Sequence, residues 1–298
     1  MIKAVWSLCM LSLAGLYLFG QDLEPRRYAA LPKDMNAVAF VYGVTRGNVV
    51  SDAALPIADF KLTTNNLGAG YVRTFGLAGK LARVAVSVPY TFFSADAVFR
   101  GRDTSAARSG FGDAQIRLGV NLTGSPAQDK RKFALYQQQT IFGMSLVINM
   151  PTGLYRRTQV INTGTNRWAF KPEAGISKRF KQVYIEAYVG VWFYSINDEY
   201  HGSKTLEQRP MFSTQAHGCY YFKNHMWLSV DGTWFNGGRT VVDGVNAGDL
   251  FDNWRVGGTW STPIARGHSL KLQFHVGAFA TRGYDYNTIS LAYQYVFF

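Results

Sequence analysis

Apolar and polar residues alternate along most of the chain. Between residues 81 and 93, Val84, Val86, Val88, Tyr90 and Phe92 share one parity, while Arg83, Ala85, Ser87, Pro89 and Thr91 share the other. Residues 111–122 repeat the pattern, with Ala114, Ile116, Leu118, Val120 and Leu122 against Asp113, Gln115, Arg117, Gly119 and Asn121. Residues 269–280 do so again, with Leu270, Leu272, Phe274, Val276 and Ala278 opposite Lys271, Gln273, His275 and Gly277. A period of two puts one set on each face of a strand, so each segment has a dry face and a wet one. About twelve such strands are predicted, near 36–46, 60–75, 81–94, 111–123, 138–150, 167–178, 182–196, 209–222, 226–236, 253–263, 269–280 and 287–298. Each is long enough for a tilted crossing of a bilayer.

The connections alternate too. They are short at 76–80, 179–181, 223–225 and 264–268 and long at 47–59, 95–110, 151–166, 197–208 and 237–252. Short periplasmic turns and long external loops are the habit of outer-membrane barrels. Segment 124–137 is long for such a turn, and 281–286 is short for such a loop. Past residue 20 no run approaches the 18 to 20 apolar residues that a membrane helix needs. Only a closed barrel then satisfies every backbone donor and acceptor in lipid. The predicted fold class is all-β: a transmembrane antiparallel up-and-down β-barrel of about twelve strands.

Aromatic residues on the apolar parity fall near the strand ends. Tyr90, Phe92, Trp168, Phe170, Phe193, Trp234 and Trp254 are expected at the outer interface, and Phe75, Tyr220, Phe222 and Trp260 at the inner one. A β-sandwich also scatters aromatics, but it gives no reason for alternating loop lengths. The chain ends Tyr293-Gln294-Tyr295-Val296-Phe297-Phe298. A last strand closing on an aromatic resembles the signal by which bacterial barrels are handed to their assembly machinery, which is therefore an expected partner along with outer-membrane lipid. The apolar parity of this strand runs Ile289, Leu291, Tyr293, Tyr295, Phe297, one place out of step with Phe298. At the other end, Lys3, an apolar stretch from Ala4 to Phe19 and Gly20 before Gln21-Asp22 read as a secretory signal peptide, with a membrane anchor as the alternative. Three segments follow: a signal peptide (1–20), a non-alternating periplasmic tail or plug (21–35) and the barrel (36–298).

A net charge of +12 could suggest nucleic acid, but the Lys and Arg residues are scattered and never form a run of five. No nucleic-acid partner is expected. Cys9 lies inside the apolar leader and Cys219 stands alone, which leaves no disulfide framework and no cysteine zinc site. His201, His217, His225, His268 and His275 have no metal-ligand spacing, so neither metal nor cofactor is expected.

Two glycine-based motifs carry a family resemblance. Gly110-Phe111-Gly112-Asp113 opens a strand that continues Ile116-Arg117-Leu118-Gly119-Val120-Asn121-Leu122, and Pro151-Thr152-Gly153-Leu154-Tyr155 closes the next. In these the chain resembles the outer-membrane barrel family labelled MetA-pathway of phenol degradation, whose members are often named as transporters. The resemblance implies location in the bacterial cell outer membrane and a transporter-like role. It carries over no binding residue. Physically the motifs suit a barrel rim: glycine permits a bend or bulge there, and proline ends a strand.

The wet parity supplies the candidate lumen-lining residues: Asp113, Arg117, Lys171, Glu173, Glu186, Asp231 and Arg255 of mixed charge, and Tyr184, Tyr188, Trp192 and Tyr194 on the strand at 182–196. Mixed charge in a lumen most often closes a pore with salt bridges and sometimes marks a selectivity path. Aromatics on the wet side suit an apolar or aromatic ligand, or else pack against a plug. The expected function is a passive channel for small-molecule solutes, hydrophobic or aromatic ones among them, and no enzyme. The alternative is a structural or adhesion barrel with a closed lumen that binds partners through its loops. A lipid hydrolase using His201 with Ser203, or His268 with Ser269, ranks third, because neither pair sits at neighbouring lipid-facing positions of one strand.

Overall fold

The computed structural model describes residues 23–48, 57–99, 102–159, 161–280 and 285–298. The expected leader at 1–20 and the loop segments 49–56 and 281–284 lie outside the described residues. Among the described residues there are seventeen strands: β1 (Asn36–Asn48), β2 (Ile57–Leu77), β3 (Lys80–Phe99), β4 (Arg102–Phe111), β5 (Gln115–Asn121), β6 (Ile141–Asn149), β7 (Ala169–Phe180), β8 (Val183–Tyr194), β9 (Asn197–Tyr200), β10 (Lys204–Gln208), β11 (Met211–Tyr221), β12 (Trp227–Gly237), β13 (Thr240–Val242), β14 (Val245–Asn246), β15 (Phe251–Ala265), β16 (His268–Ala280) and β17 (Asp285–Phe297).

Twelve of them form a closed antiparallel cylinder, in the order β2-β1-β17-β16-β15-β12-β11-β8-β7-β6-β5-β3, with β2 paired to β3 to complete the circle. Closure leaves no edge strand with unpaired backbone groups. Polarity is turned inside out relative to a soluble protein. On β6, Phe142, Met144 and Leu146 are exposed while Ser145 and Val147 are buried; on β16, Leu272 and Phe274 are exposed while Lys271, Gln273 and His275 are buried. The polar side chains of these strands are inside, and the outward side chains are ones that prefer hydrocarbon. Only a lipid surround makes that arrangement favourable.

The rims follow from local chemistry. β2 turns into β3 through Ala78 and Gly79, both with positive φ (48° and 75°), in the two-residue turn that matches strand twist. Outward aromatics pair where the belts were expected. Trp234 lies directly across from Trp254 with ring centroids 5.9 Å apart, and Trp168 stacks on Phe170. At the turn end Tyr220 meets Phe222. The last strand resolves its register: Ile289, Leu291 and Tyr295 are exposed, Val296 is buried, and Phe298 lies beyond β17, where the ammonium of Lys130 sits 3.9 Å from its ring centroid.

Three expectations are corrected. The strand expected at 111–123 is broken at residues 112–114 into β4 and β5, both of which pair with β3. The loop expected at 95–110 is mostly the extension of β3 and β4 as a hairpin past the barrel wall. Asp96, Arg102, Asp103, Ser105 and Arg108 lie along it, where no lipid has to be met. The loops expected at 197–208 and 237–252 carry β9, β10, β13 and β14, a separate four-stranded sheet at the loop end.

The turn-end segment between β5 and β6 holds one helical turn, Lys130–Phe133, capped by Asp129, whose carboxylate accepts from the Lys132 N–H at 2.9 Å. That hydrogen bond holds the Asp129 carboxyl below its usual range. Phe133 is buried against Tyr28, Ile141 and Tyr188, so the extra length of this turn serves to floor the barrel.

Candidate functional site

Residues 23–35 do not continue the wall. They enter the cylinder from the turn end, where the Lys33 N–H bonds the Gln128 carbonyl and the Asp34 N–H bonds the Thr74 carbonyl. Leu23, Tyr28, Leu31 and Met35 are almost wholly buried, and so are Glu24, Arg26 and Arg27. Each charge meets an opposite charge on the wall. The Arg26 guanidinium donates to Glu186 at 3.0 Å and lies 3.8 Å from the Tyr184 ring centroid. Its backbone N–H donates to the other Glu186 oxygen at 2.5 Å. The Arg27 guanidinium pairs with Glu173 and, at 3.2 Å, with Glu24. Glu24 also faces Arg117 at 3.3 Å, and Lys171 faces Glu173 at 3.1 Å. Arg83 clamps the tail backbone, donating to the carbonyls of Arg27 at 2.6 Å and Ala29 at 2.9 Å. Burial pushes the Glu24 carboxyl up, but Arg117 and Arg27 outweigh it and hold the group below its ordinary range.

Tyr28 makes the most specific contact. Gly143 and Gly175 face each other across β6 and β7 on the inner parity, and the phenol ring lies on that bare backbone. A Cβ on either glycine would drive into the ring. The hydroxyl lies 3.1 Å from Ser145 Oγ and donates to Glu173 Oε1 at 3.1 Å, while Tyr188 meets the ring edge-on at 5.2 Å. Burial and the neighbouring Glu173 carboxylate push the Tyr28 hydroxyl up, so the phenol stays neutral.

Toward the loop end the lumen changes character. Val147, Ala169, Trp192, Met211, Phe235 and Phe251 form a buried apolar cluster, with Tyr194 packed against it. The ammonium of Lys171 lies 4.9 Å from the Trp192 ring, between the charged and apolar halves. Further round the wall, Asp231 accepts from Ser229 at 2.9 Å and Thr259 at 3.0 Å and pairs with His217 at 2.8 Å; Arg255 lies over the Tyr286 ring at 3.7 Å.

The residues singled out from sequence therefore divide. Arg117, Lys171, Glu173, Tyr184, Glu186 and Tyr188 converge on the tail; Trp192 and Tyr194 join the apolar cluster; Asp231, through His217 beside the Tyr188 ring, and Arg255 are buried further round the wall. Asp113 does otherwise than expected. Its carboxylate accepts from the Gly153 N–H at 2.9 Å, the Thr165 N–H at 2.9 Å and the Thr165 hydroxyl at 2.6 Å, so it pins a rim loop. Sequence reading marked residues 21–35 as a tail or plug without assigning it partners on the wall, and it passed over Glu24, Tyr28, Gly143 and Gly175. Glycines at inward strand positions were the available signal, since they mark close approach of another chain segment.

The two motifs behind the family resemblance prove to be one object. Leu154 N–H bonds the Phe111 carbonyl, Ala114 N–H bonds the Thr152 hydroxyl, and a Cβ on Gly153 would stand 2.6 Å from the Gly164 Cα. The clasp fills the break between β4 and β5. The family described as "Putative MetA-pathway of phenol degradation" matches residues 42–293, a span that contains both halves of the clasp. The chain belongs to this family. No curated protein matches it significantly. Among solved structures, an outer-membrane channel from Pseudomonas putida F1 shares 21% identity at a TM-score of 0.76, covering 93% of this chain and 100% of its own. The beta domain of the Bordetella autotransporter BrkA, at 12% identity and a TM-score of 0.52, covers 89% of this chain and 100% of its own. These likenesses carry the fold: the family member described here is an outer-membrane β-barrel. Because its clasp rests on three hydrogen bonds to one carboxylate, Asp113→Ala is expected to lower barrel stability by about 1–3 kcal/mol and to speed proteolysis within 150–167, measured by thermal melting in detergent and mass spectrometry of fragments.

Proposed function

We propose that the protein is a passive outer-membrane channel for small hydrophobic or aromatic solutes, resting with its lumen closed by residues 23–35. The observation that carries this reading is the two-part lumen. An apolar cluster built on Trp192, Phe235 and Phe251 lies toward the loop end, and the tail beyond it is held in the lumen by ion pairs, hydrogen bonds and ring contacts. An aromatic solute entering from outside finds apolar surface first. The similar Pseudomonas protein, described as an outer-membrane channel, adds weight to this reading.

Catalysis is not part of the proposal. His268 Nδ1 is engaged by the Tyr293 hydroxyl at 2.6 Å, while the adjacent Ser269 points into the wall and donates to Gln294 at 3.3 Å. A nucleophile and its base have to face each other, and these two do not. A closed adhesion barrel remains a second reading, favoured by the packed tail and by the sheet of β9, β10, β13 and β14 at the loop end. Proteoliposome uptake separates the two. The full chain is expected to pass a small aromatic solute faster than a sugar of similar size, and removal of residues 23–35 is expected to raise uptake at least tenfold. No uptake by the shortened, folded barrel would leave the adhesion reading standing.

A further inference from the structure

Charge is divided unequally between the two ends of the barrel. At the turn end a cation stands at every connection round the circumference: Lys33 where the tail meets the rim, Lys80 after the β2–β3 turn, Lys132 between β5 and β6, Lys181 between β7 and β8, Lys223 between β11 and β12, and Arg266 between β15 and β16. Arg131 and Lys178 add to them, and both are exposed, as are Lys80, Lys132, Lys181 and Lys223. Outside the lumen, the acids among the described turn-end residues are Asp34, 3.8 Å from the Lys33 ammonium, and Asp129, whose carboxylate caps a helical turn. The loop end mixes both signs, with Arg108, Lys204 and Arg209 among Asp103, Glu199 and Asp243. Exposed apolar side chains stand beside the turn-end cations: Leu77 near Lys80, Phe180 between Lys178 and Lys181, Phe222 next to Lys223, and Ile264 near Arg266. The Lys178 ammonium lies 5.0 Å from the Phe180 ring centroid.

We propose that this rim docks the anionic phospholipids, phosphatidylglycerol and cardiolipin, of the leaflet that the turns face. An apolar side chain at the edge of the hydrocarbon, with a lysine reaching from beside it into the phosphate layer, matches a phospholipid along its length. Phosphatidylethanolamine carries an ammonium that offsets its own phosphate, so a lysine gains little by meeting it. Phosphatidylglycerol and cardiolipin carry no such ammonium. Near an anionic membrane surface each Lys or Arg favours association by about fivefold. The distribution of the cations selects the partner. An acidic protein would dock on one side of the rim, whereas cations at every turn match a partner that surrounds the barrel, and the lipid annulus does so. The inference goes beyond the channel reading and does not depend on it, because these side chains lie on the rim and not in the lumen.

The test uses the full-length protein in mixed vesicles of phosphatidylethanolamine and phosphatidylglycerol. Spin-labelled lipid of either kind, added in trace amounts, reports by electron paramagnetic resonance how strongly each is held against the barrel. The unaltered protein is expected to hold phosphatidylglycerol at least threefold more strongly than phosphatidylethanolamine, and molar salt is expected to erase most of that preference. Lys80→Gln, Arg131→Gln, Lys132→Gln, Lys181→Gln and Lys223→Gln combined are expected to abolish it. Arg108→Gln, Arg157→Gln, Lys204→Gln, Arg209→Gln and Arg239→Gln combined remove as much charge from the loop end and are expected to leave it at least twofold. Circular dichroism checks that both variants keep the barrel, and the salt response of the unaltered protein tests the proposal without any variant. Equal holding of the two lipids by the unaltered protein overturns the proposal and leaves the rim to an acidic protein. A preference indifferent to salt, one that survives loss of the turn-end cations, or one lost equally with the loop-end cations overturns it as well.

Discussion

Glu173→Gln is expected to release the tail while leaving the barrel standing. One Glu173 oxygen faces both the Arg27 guanidinium and, at 3.1 Å, the Lys171 ammonium; the other accepts from Tyr28. Glutamine keeps the shape and an acceptor for Tyr28 but removes the counter-charge between two buried cations. Removing one partner of a buried charge pair costs about 3–5 kcal/mol, which is roughly two to four decades in the ratio of docked to free tail. The barrel wall is spared because its strands are held to one another by backbone ladders, and Lys171, once the tail has gone, regains water. Trypsin should therefore cut after Arg26 and Arg27 at least tenfold faster than in the parent, with the barrel fragment left whole on a gel. An unchanged rate would mean that the tail is held by something other than this charge cluster.

Phe274→Arg is expected to be the most damaging single change on the outer wall. Phe274 is 51% exposed in the middle of β16, between the aromatic belts, where hydrocarbon is its solvent. A cation at that depth costs about 2–4 kcal/mol. Leu135, 81% exposed in the segment between β5 and β6 at the turn end, offers the contrast. Its change to arginine should stay within about 0.5 kcal/mol, as for ordinary surface positions. Exposure alone would rank these two sites the other way round. Equilibrium unfolding in lipid vesicles measures both, and a harmless Phe274→Arg would mean that this face does not meet lipid.

The alternation of residues such as Leu270, Lys271, Leu272, Gln273 and Phe274 determined the cylinder from sequence alone, because side chains on a strand change face at every residue and lipid and water each accept one kind. It placed the twelve wall strands to within a few residues, β4 and β5 apart, and put Lys171, Glu173, Glu186 and Tyr188 on the inner face. The same alternation is silent where there is no lipid to meet. The β3–β4 hairpin and the sheet of β9, β10, β13 and β14 lie beyond the hydrocarbon, so their strands carry no apolar stripe and read as loops. What fills the lumen was likewise decided only by tertiary structure. Arg26 finds Glu186 across 160 positions of sequence, Tyr28 finds two glycines on different strands, and Asp113 turns from the pore to hold Gly153 and Thr165. Periodicity reports which solvent a face meets; it holds no information about which distant segment is folded into the space the faces enclose.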